Sequence, residues 1–283
     1  VPVSVKSLLT ALTSRGPHKV LRGNLGIAGQ PGVVYTPETG SGLPAVAFAH
    51  GWLAGAANYK TLLEHVASWG FVVAAPDTER GPIPSHLDLS TDLLTTLDIV
   101  TGVRLGDGTV SVDRDRLALS GHAMGAGAAV LAAAQRDVRA VAALFPAPTS
   151  PAAERVAADL DTPGLILAGD DMDSVGSIAR PLALNWSAAH LRRIDGADIS
   201  GIVEGRRALA ALGAGRYHHK TEKAVRGLLT GYLLAAVAGD KTYAPFADPE
   251  TDLPHTTLVD LDAPVEVEKP KLSVGQLIKL ARG

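Results

Sequence analysis

The sequence predicts an α/β protein built on a mainly parallel, eight-stranded twisted sheet with helices on both faces. Short β-branched or apolar runs ending in Gly or Pro alternate with longer stretches of helical spacing, the pattern of successive strand–helix units. The middle runs (AVAFA, FVVAA, AVAALF, GLILA) are apolar at nearly every position, as strands covered on both faces are. At 283 residues, 46% hydrophobic and 19% charged, the chain can bury a sizeable core, and α/β units often reach about 250 residues as one domain.

In chain order, strands are expected at 20–27 and 32–35, an antiparallel lead-in, and then at 45–49, 71–75, 116–119, 140–145, 164–168 and 191–194. Helices are expected at 58–69, 87–101, 123–135, 152–160 and 175–186, with 221–238 closing the fold. The polar stretch 106–115 (GDGTVSVDRD) reads as a loop. Residues 1–248 form the expected domain, with a core of about 20–246. From 249 charge and proline rise, and 249–283 reads as a C-terminal extension in which only 273–282 has helical spacing. Its 264–283 stretch is the candidate for docking on a protein partner or a second copy.

The composition removes several classes of function. With no cysteine, disulfides, thiolate nucleophiles, Fe–S clusters and Cys-ligated zinc are excluded. A net charge of −3 offers no basic excess for a phosphate backbone, so nucleic acid is not expected as a partner. The longest apolar stretch, 227–239, falls short of the roughly 20 residues a transmembrane helix needs and reads as a buried helix. No charged-then-apolar leader is visible, which favours the cytoplasm without fixing a compartment. No cofactor and no metal site is expected: Asp170, Asp171 and Asp173 cluster, but without the glycine turn and distal glutamate of a calcium loop.

The chemistry-bearing motif follows the strand at 116–119. Gly121-His122-Ala123-Met124-Gly125-Ala126-Gly127 leads into an alanine-rich helix. A G-x-S-x-G turn in that setting raises a serine above the sheet, its glycines permitting the tight fold. Here every part is present except the serine, whose place Ala123 takes.

Further matching segments give the chain a family resemblance. Ala47-Phe48-Ala49-His50-Gly51-Trp52, Gly169-Asp170-Asp171-Met172-Asp173-Ser174-Val175 and Gly239-Asp240-Lys241-Thr242-Tyr243-Ala244-Pro245-Phe246 resemble the α/β hydrolases of the cutinase-like, polyester hydrolase and dienelactone hydrolase group over about 21–246. The resemblance implies oxyanion-hole amides at Trp52 and Met124 and a triad acid at Asp173. It implies a histidine where Gly196-Ala197-Asp198-Ile199-Ser200-Gly201 puts Ile199. A cleft would be lined by Trp52, Leu53, Met124, Ala147, Pro148, Ser174, Val175 and Ile199, with His50 and His122 on loops nearby. Ala147 stands where polyester hydrolases carry an aromatic.

A serine attacks only when a base takes its proton, and the base needs an acid to hold its tautomer. Ala123 and Ile199 can do neither job. Asp173 then has a plain alternative as a loop residue capping the next helix. Ser120 should point elsewhere along its strand, and Ser200 lacks a base. His219, beside His218 ahead of the last helix, is the candidate substitute base, and the long 201–220 link is a candidate lid. The leading expectation is a hydrolase-like protein that no longer hydrolyses and binds an apolar or ester-bearing molecule or a protein partner. The alternatives are a serine esterase, lipase or dienelactone hydrolase-type enzyme whose nucleophile has been exchanged for alanine, and a structural subunit docking through 264–283.

Overall fold

The computed structural model describes residues 4–205 and 217–263. Its strands are β1 (Val20–Asn24), β2 (Gly32–Pro37), β3 (Gly40–Ala49), β4 (Val72–Pro76), β5 (Val110–His122), β6 (Ala140–Leu144), β7 (Gly164–Ala168), β8 (Ala189–Ile194) and β9 (Thr256–Leu258). They form one sheet in the order β1-β2-β4-β3-β5-β6-β7-β8-β9. The β4-β3-β5-β6-β7-β8 block is parallel, while β1, β2 and β9 attach antiparallel. Among the described residues the sheet therefore has nine strands, not eight. The added one comes from the stretch read as an extension.

The helices are α1 (Val5–Leu12), α2 (Lys60–Ser68), α3 (His86–Gly102), α4 (Met124–Ala133), α5 (Ala153–Val156), α6 (Ala179–Asn185) and α7 (His219–Ala236). Alternate residues of each central strand feed two separate cores. Val46 and Phe48 of β3 pack with α1, α2 and α7, and Ala45, Ala47 and Ala49 pack with α3, α4, α5 and α6. That two-sided burial is why those strands are apolar throughout. All ten residues of α4 are buried, and its small side chains let it sit close against β3 and β5.

Several boundaries differ from expectation for local reasons. The first strand stops at Asn24, whose side chain accepts the Gly26 N–H and starts a 3₁₀ turn. The polar 106–115 stretch is a loop only to Thr109, because β5 begins at Val110 beside Gly40 and Leu43 of β3. Residues 152–160 give one short helix and a 3₁₀ turn. The 175–186 helix shortens to α6, and Val175 lies in a fully exposed turn. The N-terminal helix α1 was not foreseen: Ser4 caps it, and Leu8, Leu9 and Leu12 bury its inner face. Docking through 264–283, the 273–282 helix and most of the 201–220 link lie outside the described residues.

Two histidines, His65 buried and His190 half-buried, make the fold sensitive to acid. His65 on α2 donates its Nε2–H to the Leu12 carbonyl at 2.8 Å, and His190 lies on β8 against Tyr232. Burial, reinforced by the Arg226 guanidinium beside His65 and Arg192 beside His190, lowers both rings to about 4. An unfolded histidine titrates near 6.5, so between about 6.5 and 4 the unfolded state binds more protons and stability falls as pH falls. Each ring should cost about 2 kcal/mol by pH 5. Urea midpoints measured from pH 7 to pH 5 should drop less in a His65→Gln/His190→Gln variant than in the unmodified protein; equal slopes would contradict the assignment.

Candidate functional site

The site lies at the carboxyl ends of β3, β5, β6, β7 and β8, where open α/β sheets place their ligands. β5 ends at His122 and α4 starts at Met124, so the chain turns from strand to helix on Ala123 alone, at φ 53° and ψ −118°. A positive φ on a side-chain-bearing residue costs of order 1–3 kcal/mol and persists only where the surroundings dictate it. Here they do. Ala123 N–H donates to the Leu144 carbonyl at 3.0 Å, and its own carbonyl accepts from Ala126 and Ala147. The flanking glycines are steric necessities: a Cβ on Gly121 would overlap the Gly125 carbonyl, and one on Gly125 would overlap that of Ala49. Leu53 and Phe145, just past β3 and β6, also have positive φ, as do Glu79 and His255.

A hydrogen-bonded chain runs beneath the elbow. The Gly51 N–H donates to Tyr59 Oη at 3.0 Å, and Tyr59 Oη lies 2.8 Å from His122 Nδ1. His122 Nε2 lies 2.6 Å from the Ile199 carbonyl, which can only accept. A neutral His122 therefore carries its proton on Nε2 and takes the tyrosine proton donor at Nδ1. The ring, 3% exposed, is clasped between Tyr59 and Phe145. His122 thus fastens the loop carrying Ile199 to the elbow. His50 is buried behind it, its two ring nitrogens against the Gly51 and Thr78 carbonyls.

The residues at the three expected triad positions are each engaged separately. Ala123 presents a methyl group. Ile199 is half-buried and contributes its backbone carbonyl. Asp173 is held by Arg180, whose Nε and Nη2 reach its two carboxylate oxygens at 2.7 and 3.2 Å, and whose Nη1 reaches the Asp260 carbonyl. The acid that contacts the histidine position is Asp171 instead. Burial raises its pKa, opposed by hydrogen bonds from the Ile199 backbone and its own. Asp170 accepts from the Gly196 N–H. Among the described residues no group of three or more histidines or acids is placed to hold a metal ion, and no helix is long and apolar enough to cross a membrane.

In front of the elbow is a cleft of about 490 Å³. Trp52, His122, Ala123, Met124, Ala147, Pro148, Ile199 and Ser200 line it. Met124 opens α4, so its N–H is among the first-turn donors that a helix leaves without an intrahelical carbonyl. Four residues expected there do not line it: His50 is buried behind the loop, Leu53 is exposed at positive φ, and Ser174 and Val175 are exposed on the 169–175 loop. His219 is exposed on the first turn of α7 and does not reach the cleft. Ser120 is buried and donates to the Ala142 carbonyl.

The sequence did not reveal the opposite wall. Pro82, Ile83, Pro84 and His86 come from the loop after β4 and the start of α3, and Tyr59 and Val203 complete the floor. Trp52 Nε1 donates to the Pro82 carbonyl at 3.0 Å, tying the two walls at the mouth, where Trp52 and Ile83 are 53% and 93% exposed. The available signal was positional: a G-P-I-P loop leaving the carboxyl end of a central strand faces the same edge as the elbow.

A family model described as PET hydrolase-like (PETase) matches residues 2–188. Among curated proteins, cutinase 2 of Thermobifida cellulosilytica is 32% identical over 178 residues, 59% of this chain and 64% of the relative. A cutinase of Thermobifida fusca (strain YX) is 32% identical over 178 residues, 59% of this chain and 52% of its own length. Cutinase est1 of Thermobifida alba is 31% identical over 153 residues, 52% of this chain and 48% of its own. The matches thus span from about half to under two thirds of each relative. The family model covers well over half of the chain, and the nine-stranded sheet with its strand–elbow–helix turn agrees with it. This chain belongs to the PET hydrolase-like, cutinase-like family of α/β-hydrolases.

Proposed function

We propose that this protein binds an apolar, ester- or carbonyl-bearing molecule in the elbow cleft and does not hydrolyse it. The observation that carries the reading is the methyl group of Ala123 at the apex of an otherwise complete elbow. Two further features support it. The Ile199 carbonyl is occupied by His122, and the Asp173 carboxylate is occupied by Arg180, so neither position can pass a proton toward residue 123. The walls nevertheless suit an apolar ester: Trp52, Ile83, Met124 and Pro148 supply apolar surface, and the Met124 amide at the helix start suits an oxygen with partial negative charge. The cutinase names of the relatives point to the same ligand chemistry.

Removing the serine or the histidine alone costs about six orders of magnitude in a serine protease, so turnover here should be indistinguishable from the uncatalysed reaction. The protein should hydrolyse p-nitrophenyl butyrate at the buffer rate while the ester alters Trp52 fluorescence saturably, an effect lost in Trp52→Phe. Hydrolysis above background that a serine-directed fluorophosphonate abolishes would overturn the reading.

The second reading is an esterase whose functional form carries serine at 123. The cutinase names of the relatives favour it. In that case Ala123→Ser alone should restore turnover.

A further inference from the structure

A second cavity, of about 560 Å³, lies between α1, the first turns of α7, the end of β8 and the turn before β9. The 195–203 loop separates it from the cleft: Asp195 and Gly196 line this cavity, and Ile199, Ser200 and Val203 line the other. Its walls carry Lys6 from α1, His218, Lys220 and Lys223 from the start of α7, and His255 from the turn before β9, against the single acid Asp195. The three lysines and one aspartate alone leave an excess of two positive charges, in a chain whose net charge is −3.

That excess is not consumed within the fold. None of the three ammonium groups forms an ion pair among the described residues. Asp195 turns one oxygen to the Thr257 hydroxyl at 2.9 Å. Helical spacing gathers the charges: Lys6 shares a face of α1 with Leu9, Thr10 and Thr13, and Lys220 and Lys223 share a face of α7 with Ala224. His218, the N-cap of α7, makes no side-chain bond to the first turn, so the amides there add partial positive charge. Leu9 and Ile194, both buried, give the cavity an apolar floor.

We propose that this cavity binds an organic phosphate monoester, a dianion with a compact apolar body. Ammonium groups carried by two helices, α1 and α7, supply charged donors for the oxygens of a doubly charged head, and the floor accepts a ring or short chain. The neutral ester proposed for the cleft has no such charge to place here, so the two sites take different chemistries.

Calorimetric titration of the full chain with phenyl phosphate, benzoate and inorganic phosphate tests this. Phenyl phosphate should bind at least tenfold more tightly than benzoate, which has the body with half the charge, and more tightly than inorganic phosphate, which lacks the body. Lys220→Ala/Lys223→Ala should weaken it at least tenfold with unchanged thermal unfolding, since both side chains are exposed, and Trp52→Ala should leave it unaltered. Absence of phenyl phosphate binding, equal affinity for benzoate, or indifference to the lysine substitutions would overturn the proposal. Equal affinity for inorganic phosphate would overturn its organic part.

Discussion

Ala123→Ser, introduced alone, will leave p-nitrophenyl butyrate hydrolysis at background, and together with Ile199→His it will raise it. The serine hydroxyl would stand at the right angle, since the backbone of residue 123 already has it, but no base would take its proton. His122 cannot serve: it lies below the turn with Nε2 committed to the Ile199 carbonyl. An imidazole at 199 supplies the base, and Asp171, already hydrogen-bonded to the Ile199 backbone, is an acid at hand to orient it. The pair should still fall short of a complete relay, because Asp173 remains with Arg180. Adding Arg180→Gln should release that carboxylate and bring a further rise of up to about 10⁴-fold, the order of magnitude that loss of the acid alone costs a serine protease. Steady-state rates of the three variants check the order. Fluorophosphonate-sensitive turnover in the single variant would refute the non-hydrolytic reading and leave the anion cavity untouched.

Gly125→Ala will destabilise the protein by about 3 kcal/mol or more, the upper end of overpacking costs. The added methyl would overlap the Ala49 carbonyl oxygen and lie 2.5 Å from that of His50. Both are backbone atoms at the end of β3, so relief requires α4 to move off the sheet. α4 is buried along its whole length and cannot move without opening the core on that face. Gly102→Ala, at the end of α3, meets nothing within 4 Å and should be neutral or slightly stabilising, by up to about 1 kcal/mol. Urea unfolding of the two variants beside the unmodified chain gives the comparison; similar midpoints would show that the elbow tolerates a Cβ at position 125.

The central sheet and the elbow were legible because their signals are local and redundant. The parallel strands are apolar on both faces, and Gly121, Ala123 and Gly125 are consecutive in one turn whose neighbours are fixed by sequence. β9 was not legible, since three residues of which two are threonines carry no period, and their pairing depends on the exposed edge of β8. The cleft was half legible. Trp52, Met124, Ala147 and Ile199 lie on motif loops, whereas Pro82 to His86 join them only through the path of the chain after β4. The partners of Asp173 were hidden for another reason. A carboxylate seven residues ahead of an arginine reads as two exposed charges until the loop brings them into a bidentate pair.

None of the hydrogen bonds that fix the elbow uses a side-chain atom of residue 123, and the glycines that shape it are set by carbonyl oxygens of neighbouring strands and turns. The bend is therefore inherited with the fold and is indifferent to its tenant. Selection for folding alone would preserve the pedestal long after its occupant had drifted, so a well-formed elbow in a chain of this kind testifies to ancestry rather than to present employment.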